Sequence, residues 1–299
     1  MSSSTPIDIC ANCGKGEEDS KNLKKCSACL SVKYCSRDCQ IAHRKQHKKE
    51  CKKRAAEIYD EKLFKEVERE DCPICMLPMP LEGVSYKSCC SKRICEGCIC
   101  AMALRAKGSM PLCPFCREQS VPPGEEQIRL VEKHMKSGDV LAYTNLAFYY
   151  ANSEHGLTQD YQKANELWLK AGELGCAEAY FNLGQSHHEG KGVESDIKKA
   201  QYYWELAAMG GDIQARHNLG CLEGQAGKVE RAIKHWIIAA RVGCKDSLAT
   251  IKKGYMNREI TKDEYASTLR AHQKANDAAK SEARDKATEI IATRKYVWS

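Results

Sequence analysis

Sixteen of the chain's nineteen cysteines fall within its first 116 residues, and nearly all stand at short, regular spacings. One set runs Cys10-x2-Cys13-x12-Cys26-x2-Cys29-x5-Cys35-x3-Cys39-x7-His47-x3-Cys51. A second runs Cys72-x2-Cys75-x13-Cys89-Cys90-x4-Cys95-x2-Cys98-x14-Cys113-x2-Cys116. A Cys-x2-Cys pair puts two thiolates on one tight turn, where they can share a metal, and zinc takes four such ligands in a tetrahedron. Eight ligands per set point to two zinc ions per set and four in the chain. Units of 42 and 45 residues bury too little apolar surface to fold on that alone, and structural zinc supplies the missing free energy.

The other use of so many cysteines is a disulfide framework. Residues 1–20 contain no apolar signal-peptide core, and no run of eighteen apolar residues occurs. The expectation is therefore a soluble protein of the cytoplasm or nucleus, with reduced cysteines and no membrane partner. The net charge of +7 is concentrated in residues 1–120, which hold 22 basic against 16 acidic side chains; the remainder holds 25 against 24. Thiolates offset part of that excess, so charge alone does not predict a nucleic-acid partner.

The first set, with Tyr34-Cys35-Ser36, Cys39-Gln40 and His47-Lys48-x2-Cys51, resembles the MYND zinc finger. The resemblance implies interleaved ligation: Cys10, Cys13, Cys35 and Cys39 on one ion, and Cys26, Cys29, His47 and Cys51 on the other. Cys35/Cys39 and His47/Cys51 are i, i+4 pairs, which one helical turn presents on one face. His43 competes with His47 as a ligand, and its expected place is an exposed helix position. The family binds short peptides of partner proteins, and Gln40 matches a position of its groove. Arg44 stands where the family carries an aromatic residue. Seven basic residues lie between Arg44 and Arg54. They are read as the solvated outer face of the ligand-bearing helix in preference to a localisation or nucleic-acid patch.

In the second set, Cys72-Pro-Ile-Cys75 and Cys113-Pro-Phe-Cys116-Arg117 resemble the first and last ligand pairs of a RING finger, in its all-cysteine form. This implies Cys72, Cys75, Cys95 and Cys98 on one ion, and Cys89, Cys90, Cys113 and Cys116 on the other. Cys100 is an alternative to one of the adjacent pair Cys89 and Cys90. RING fingers act as ubiquitin ligases by holding a loaded conjugating enzyme in a reactive conformation. By resemblance Ile74, Pro114 and Arg117 are the conjugating-enzyme contacts, none of them covalent. The tryptophan many active members carry before the seventh ligand is absent, with Leu104 or Leu112 as substitutes.

After Pro122-Pro123-Gly124 a repeat begins. Gly138-x3-Ala142-x2-Asn145-Leu146 recurs from Gly175, from Gly211 and, weakly, from Gly243. Trp168, Trp204 and Trp236 each precede a glycine by seven residues. Self-similarity at this period marks a solenoid of helix pairs, and the residues resemble Sel-one-like repeats, relatives of the tetratricopeptide repeat. The tryptophans are assigned to the core, Cys176, Cys221 and Cys244 to small buried positions, and His187-His188 to a solvent-facing turn. From Thr261 the Ala-rich tail reads as one long capping helix.

The fold class expected is multidomain, two small cross-brace zinc modules followed by an all-α helical-repeat solenoid. The divisions are 10–51 (first finger), 52–71 (helical linker), 72–117 (second finger), 125–252 (repeats) and 253–299 (helical cap). The function expected is a zinc-binding modular interaction protein, most specifically a RING-type ubiquitin ligase that recruits substrate through its repeats. Its partners would be a conjugating enzyme and a substrate or scaffold protein. The alternatives are a non-catalytic adaptor and, behind it, nucleic-acid binding through the basic helix.

Overall fold

A computed structural model describes residues 9–16, 23–106, 112–119 and 124–297, with side chains to Ile291. The chain divides into two compact units, Met1–Lys65 and Glu66–Ser299. Pro122-Pro123 lies outside the described residues.

The first unit has little apolar material. Its core is Cys10, Cys26, Cys29 and Tyr34, with Ala11, Leu23 and Val32 against them. β1 (Lys24–Lys25) pairs antiparallel with β2 (Lys33–Tyr34). A single helix follows, α1 (Arg37–Leu63), started by Ser36, whose side chain accepts from the Cys39 N–H. It is shorter than the helix expected through residue 71: it closes at Leu63, and residues 65–70 are irregular. Of its 27 residues only His47 and Leu63 are buried.

The second unit opens with a hairpin, β3 (Val84–Lys87) antiparallel to β4 (Lys92–Cys95), which runs into α2 (Glu96–Arg105). Helix α3 (Glu125–Lys136) leads into the repeats. These are the pairs α4 (Val140–Asn152) with α5 (Tyr161–Glu173), α6 (Ala177–Glu189) with α7 (Ile197–Met209), α8 (Ile213–Gln225) with α9 (Val229–Arg241), and α10 (Lys245–Met256) with α11 (Lys262–Ala279). Each repeat glycine of the sequence pattern sits in the turn before the first helix of a pair, at φ +81° (Gly138), +98° (Gly175), +96° (Gly211) and +107° (Gly243). Only glycine enters that region without steric cost, which explains why the motif keeps it.

Five of these helices are started by polar caps. Asp139, Asp160, Asp196 and Asp212 each accept a backbone N–H at a helix start, and Thr261 with Glu264 forms a capping box. Trp168 and Trp204 are buried and Trp236 is half-buried. The indole of Trp204 lies directly on Gly184, and that of Trp236 on Gly220, where a Cβ would overlap the ring. The residue after Asn182-Leu183 and after Asn218-Leu219 is therefore glycine because a tryptophan occupies the space. Of the cysteines assigned to small buried positions, Cys244 is buried, whereas Cys176 and Cys221 are half-buried. His187-His188 forms the last turn of α6 instead of a loop; His187 is buried and stacks on Tyr203, and His188 is exposed.

The tail also differs from the single long helix expected. It breaks at Lys280, whose backbone is extended, and Ser281 starts α12 (Glu282–Val297) by accepting the Arg284 N–H. After the break α12 packs against α2 of the second cysteine-rich module. That module also meets the solenoid elsewhere. Tyr86 packs with Val131, Ala142, Leu146 and Tyr149 of α3 and α4, and Arg93 pairs with Glu178 at 3.1 Å. Upstream, Glu66 pairs with Arg241 at 2.7 Å, and Arg69 donates to the Ala275 carbonyl at 2.5 Å.

Candidate metal centres and contact surfaces

Four turns of one design position half the ligands. In each, the residue after the second cysteine of a Cys-x2-Cys pair has positive φ: Gly14 (+74°), Leu30 (+55°), Met76 (+54°) and Arg117 (+61°). The N–H of that residue donates to the carbonyl of the first cysteine, at 2.9 Å (Gly14 to Cys10), 2.9 Å (Leu30 to Cys26), 2.8 Å (Met76 to Cys72) and 3.0 Å (Arg117 to Cys113). The first cysteine's own N–H donates back across the turn, to Lys15, Val32, Leu77 and Glu118 respectively. These bonds fold both sulfurs to one side. Three of the four turns place a non-glycine residue in the left-handed region, at a cost of about 1–3 kcal/mol each, which metal ligation can offset.

The turns combine with distant residues into four groups of four ligand atoms, every atom within 4.8 Å of the others in its group. They are Cys10/Cys13/Cys35/Cys39, Cys26/Cys29/His47/Cys51, Cys72/Cys75/Cys95/Cys98 and Cys89/Cys90/Cys113/Cys116. Within them the sulfurs of Cys13 and Cys35 are 3.6 Å apart, those of Cys35 and Cys39 3.5 Å, and those of Cys26 and Cys51 3.7 Å. In the second module Cys75 and Cys95 are 3.9 Å apart, Cys72 and Cys98 4.0 Å, and Cys90 and Cys113 3.6 Å. A tetrahedron with Zn–S bonds of about 2.3 Å has edges of about 3.8 Å, so the donor sets fit zinc. They do not fit disulfides, whose sulfurs lie about 2.05 Å apart, and all nineteen cysteines are free. The chain is a zinc-binding protein.

Both Cys89 and Cys90 belong to the fourth group, and Cys100 lies outside all four. The adjacent pair is accommodated in the tight turn after β3, where the Cys90 N–H donates to the Lys87 carbonyl. His43 is half-buried, unlike the exposed position expected: it accepts or donates a hydrogen bond with the Tyr34 hydroxyl at 3.1 Å and stacks on the His47 ring at 5.6 Å. His47 carries the ligand atom, with Nε2 3.1 Å from the Cys29 sulfur. The Ser31 hydroxyl donates to that same sulfur at 3.0 Å.

The thiol acidities show why a cation belongs in these groups. Burial alone would raise the Cys10 thiol, but N–H donors from Cys13, Cys35 and Asn12 bring it down to about 6. Cys29, buried but held by Ser31, is also lowered to about 6. Their partners move the other way: hydrogen bonding to Cys39 and Cys13 pushes Cys35 to about 12, and burial with the Cys26 and Cys29 sulfurs pushes Cys51 to about 12. Three or four sulfurs this close cannot all ionise without a divalent ion between them.

One functional neighbour carried no motif in the sequence. Arg284 of α12 reaches the first turn of the second module. Its guanidinium donates to the carbonyls of Pro78 (2.8 Å), Ala279 (2.6 Å) and Leu77 (3.4 Å), and lies 3.4 Å from the Cys75 sulfur. Burial opposes its charge, and the Cys95 and Cys75 sulfurs more than restore it, so its pKa is raised. Gly97 of α2 admits this contact, since a Cβ there would meet the Arg284 backbone at 2.9 Å.

The conjugating-enzyme contacts expected from sequence are at the surface. Ile74, between Cys72 and Cys75, is 39% exposed, and Pro114 and Arg117 are exposed on the Cys113–Cys116 turn. Leu104 and Leu112, the expected tryptophan substitutes, are both exposed, whereas Met102 packs into the module with Ile94, Ile99 and Phe115. In the first module Gln40 and Arg44 are exposed one turn apart on α1.

Comparison with known proteins agrees with this division. The family model of the MYND finger matches residues 10–51, and that of the Sel1 repeat matches 140–176, 177–212 and 213–244. A SET and MYND domain-containing protein of Dictyostelium discoideum is 49% identical over 47 residues, 15% of this chain and 9% of that protein. The ERAD-associated E3 ubiquitin-protein ligase component HRD3B of Arabidopsis thaliana is 28% identical over 112 residues, 37% of this chain and 17% of that protein. The chain thus spans less than a fifth of the length of either relative. Among solved structures, a Sel1 repeat protein from Oxalobacter formigenes superposes with a TM-score of 0.47 at 18% identity, covering 67% of this chain and 86% of that one. The chain therefore carries a MYND zinc finger at its N-terminal end, followed by a further cysteine-rich zinc-binding module and a helical Sel1-repeat solenoid.

Proposed function

We propose that this protein is a zinc-organised interaction adaptor whose second module recruits a ubiquitin-conjugating enzyme, with one zinc in each of the four ligand groups. The observation that carries the reading is the placement of Ile74, Pro114 and Arg117. They stand exposed on the two metal turns while the module is fastened to the solenoid by Tyr86 and Arg93, and Arg284 of α12 holds the first of those turns from its other side. No residue of the chain is assigned covalent chemistry. Ile74 would give the enzyme an apolar contact, Pro114 would shape the second contact loop, and the Arg117 guanidinium would donate to enzyme and ubiquitin together. Catalysis would be by positioning a thioester for attack by a substrate amine. The similarity of 112 residues of the chain to a protein named as a ligase component supports a place in ubiquitin-ligase assemblies.

The test is discharge of ubiquitin from a panel of loaded conjugating enzymes to free lysine, using the zinc-loaded full chain. The proposal expects faster discharge with at least one enzyme, lost in Ile74→Ala and in Arg117→Ala with zinc content unchanged. No acceleration with any enzyme would leave the second reading, a non-catalytic adaptor. The exposure of both Leu104 and Leu112, where the RING resemblance expects a tryptophan, favours that reading.

A further inference from the structure

The outer face of α1, assigned from sequence to simple solvation, is more ordered than solvation requires. From Arg44 to Lys53 the helix reads RKQHKKECKK. At about 100° per residue, Arg44, Lys45, Lys48, Lys49, Lys52 and Lys53 all fall within about half of the circumference. His47 and Cys51, which face the metal, fall in the other half, together with Gln46 and Glu50. The six cations form two i, i+4 rows, 44-48-52 and 45-49-53, and all six are exposed. Among the described residues no acidic side chain pairs with any of them; the helix's Arg54–Glu57–Glu61 network begins beyond the rows.

We propose that this face binds the phosphate backbone of double-stranded nucleic acid without regard to sequence. The charge density decides among anionic partners. Six cations over ten residues of helix, nine rises of about 1.5 Å, span about 13.5 Å, roughly one per 2.2 Å. Duplex DNA offers one phosphate charge per 1.7 Å of axis, whereas a wholly acidic extended peptide offers one per about 3.3 Å. Two rows on one helix also suit a groove flanked by a phosphate strand on each side, and the B-form major groove admits an α-helix. A membrane surface fits less well. The apolar side chains exposed on this face, Ile41 and Tyr59, lie beyond either end of the basic stretch, about 27 Å apart along the helix, and form no continuous apolar stripe to enter a bilayer. Lysines predominate, which suits phosphates over base edges.

The experiment is fluorescence anisotropy of the zinc-loaded full chain with two unrelated 16-base-pair DNA duplexes, from 50 to 200 mM salt. If all six cations engage, affinity falls on the order of a thousandfold over that range, equally for both duplexes. Lys48→Gln/Lys52→Gln, which removes two cations of one row, lowers the slope of log affinity against log salt by about 1.8. Lys48→Glu/Lys49→Glu/Lys52→Glu/Lys53→Glu abolishes binding while the zinc content stays that of the wild type. The proposal is overturned by no duplex binding at 50 mM salt, by an unchanged slope in the double variant, or by tighter binding to polyglutamate or to phosphatidylserine vesicles than to duplex.

Discussion

Replacing Arg284 with alanine removes the link between the C-terminal helix and the first metal turn of the second module. Two of its hydrogen bonds are short, to Pro78 at 2.8 Å and Ala279 at 2.6 Å. The Leu77 carbonyl it approaches already accepts the Cys72 N–H that shapes the turn. A zinc ion with four thiolates carries a net charge of −2, and Arg284 is the cation beside one of those sulfurs. Hydrogen bonds to charged groups contribute about 1.5–3 kcal/mol each, but this side chain is only part-buried and solvent takes back part of that. Residues that orient metal ligands from outside cost 10–100-fold in metal affinity when removed, or about 1.4–2.7 kcal/mol.

The assay is timed alkylation of the zinc-loaded chain under chelator, with the modified cysteines located by mass spectrometry. Cys72, Cys75, Cys95 and Cys98 should be modified 10–100-fold faster in Arg284→Ala than in wild type. Cys10, Cys13, Cys35 and Cys39 should keep their rates, which separates a local effect from general unfolding. Arg284→Lys keeps the charge but not the planar fork and should fall between. Equal rates at the first four cysteines, or an equal acceleration in both modules, would refute the reasoning.

Two further outcomes are expected. Gly184→Ala gains about 1 kcal/mol of helix propensity, but its Cβ would overlap the indole of Trp204, which is only 3% exposed. Overpacking costs about 1–3 kcal/mol, so thermal melting should show a net loss, and a rise in Tm would contradict the packing. Zinc loading should release protons at pH 7, because Cys35 and Cys51, at about 12, are protonated without metal, whereas Cys10 and Cys29, at about 6, are mostly ionised. Apparent affinity therefore rises with pH and falls as pH drops; calorimetry in buffers of different ionisation heat measures the protons released, and a heat independent of buffer would contradict the assignment.

The sequence made the ligand turns and the repeat turns legible because each is local. Cys-x2-Cys fixes two sulfurs on one turn, and the repeat glycines occupy backbone conformations that few other residues tolerate. The grouping of Cys89 with Cys90 came only from the resemblance to the all-cysteine RING finger, with Cys100 as an alternative to one of them. Contacts across long separations left no such trace. Arg284 and Cys75 are 209 residues apart, and no period connects them. Tyr86 reads as an ordinary strand residue until α3 and α4 are placed beside it. The break at Lys280 did carry a signal, Ser281 in an Ala-rich run, which serves as a helix start. It was masked by helix-forming residues on both sides. The tryptophans were assignable as core, yet the reason Gly184 and Gly220 stay small appears only once each ring is seated on its glycine.

The account rests on four ligand groups each closing around one ion, and native mass spectrometry of the full chain measures that directly. It predicts four zinc ions per chain, falling to three when Cys90 is replaced by serine and to three when Cys29 is. A wild-type count of three or fewer under zinc-replete conditions, or a count unmoved by either substitution, would contradict it.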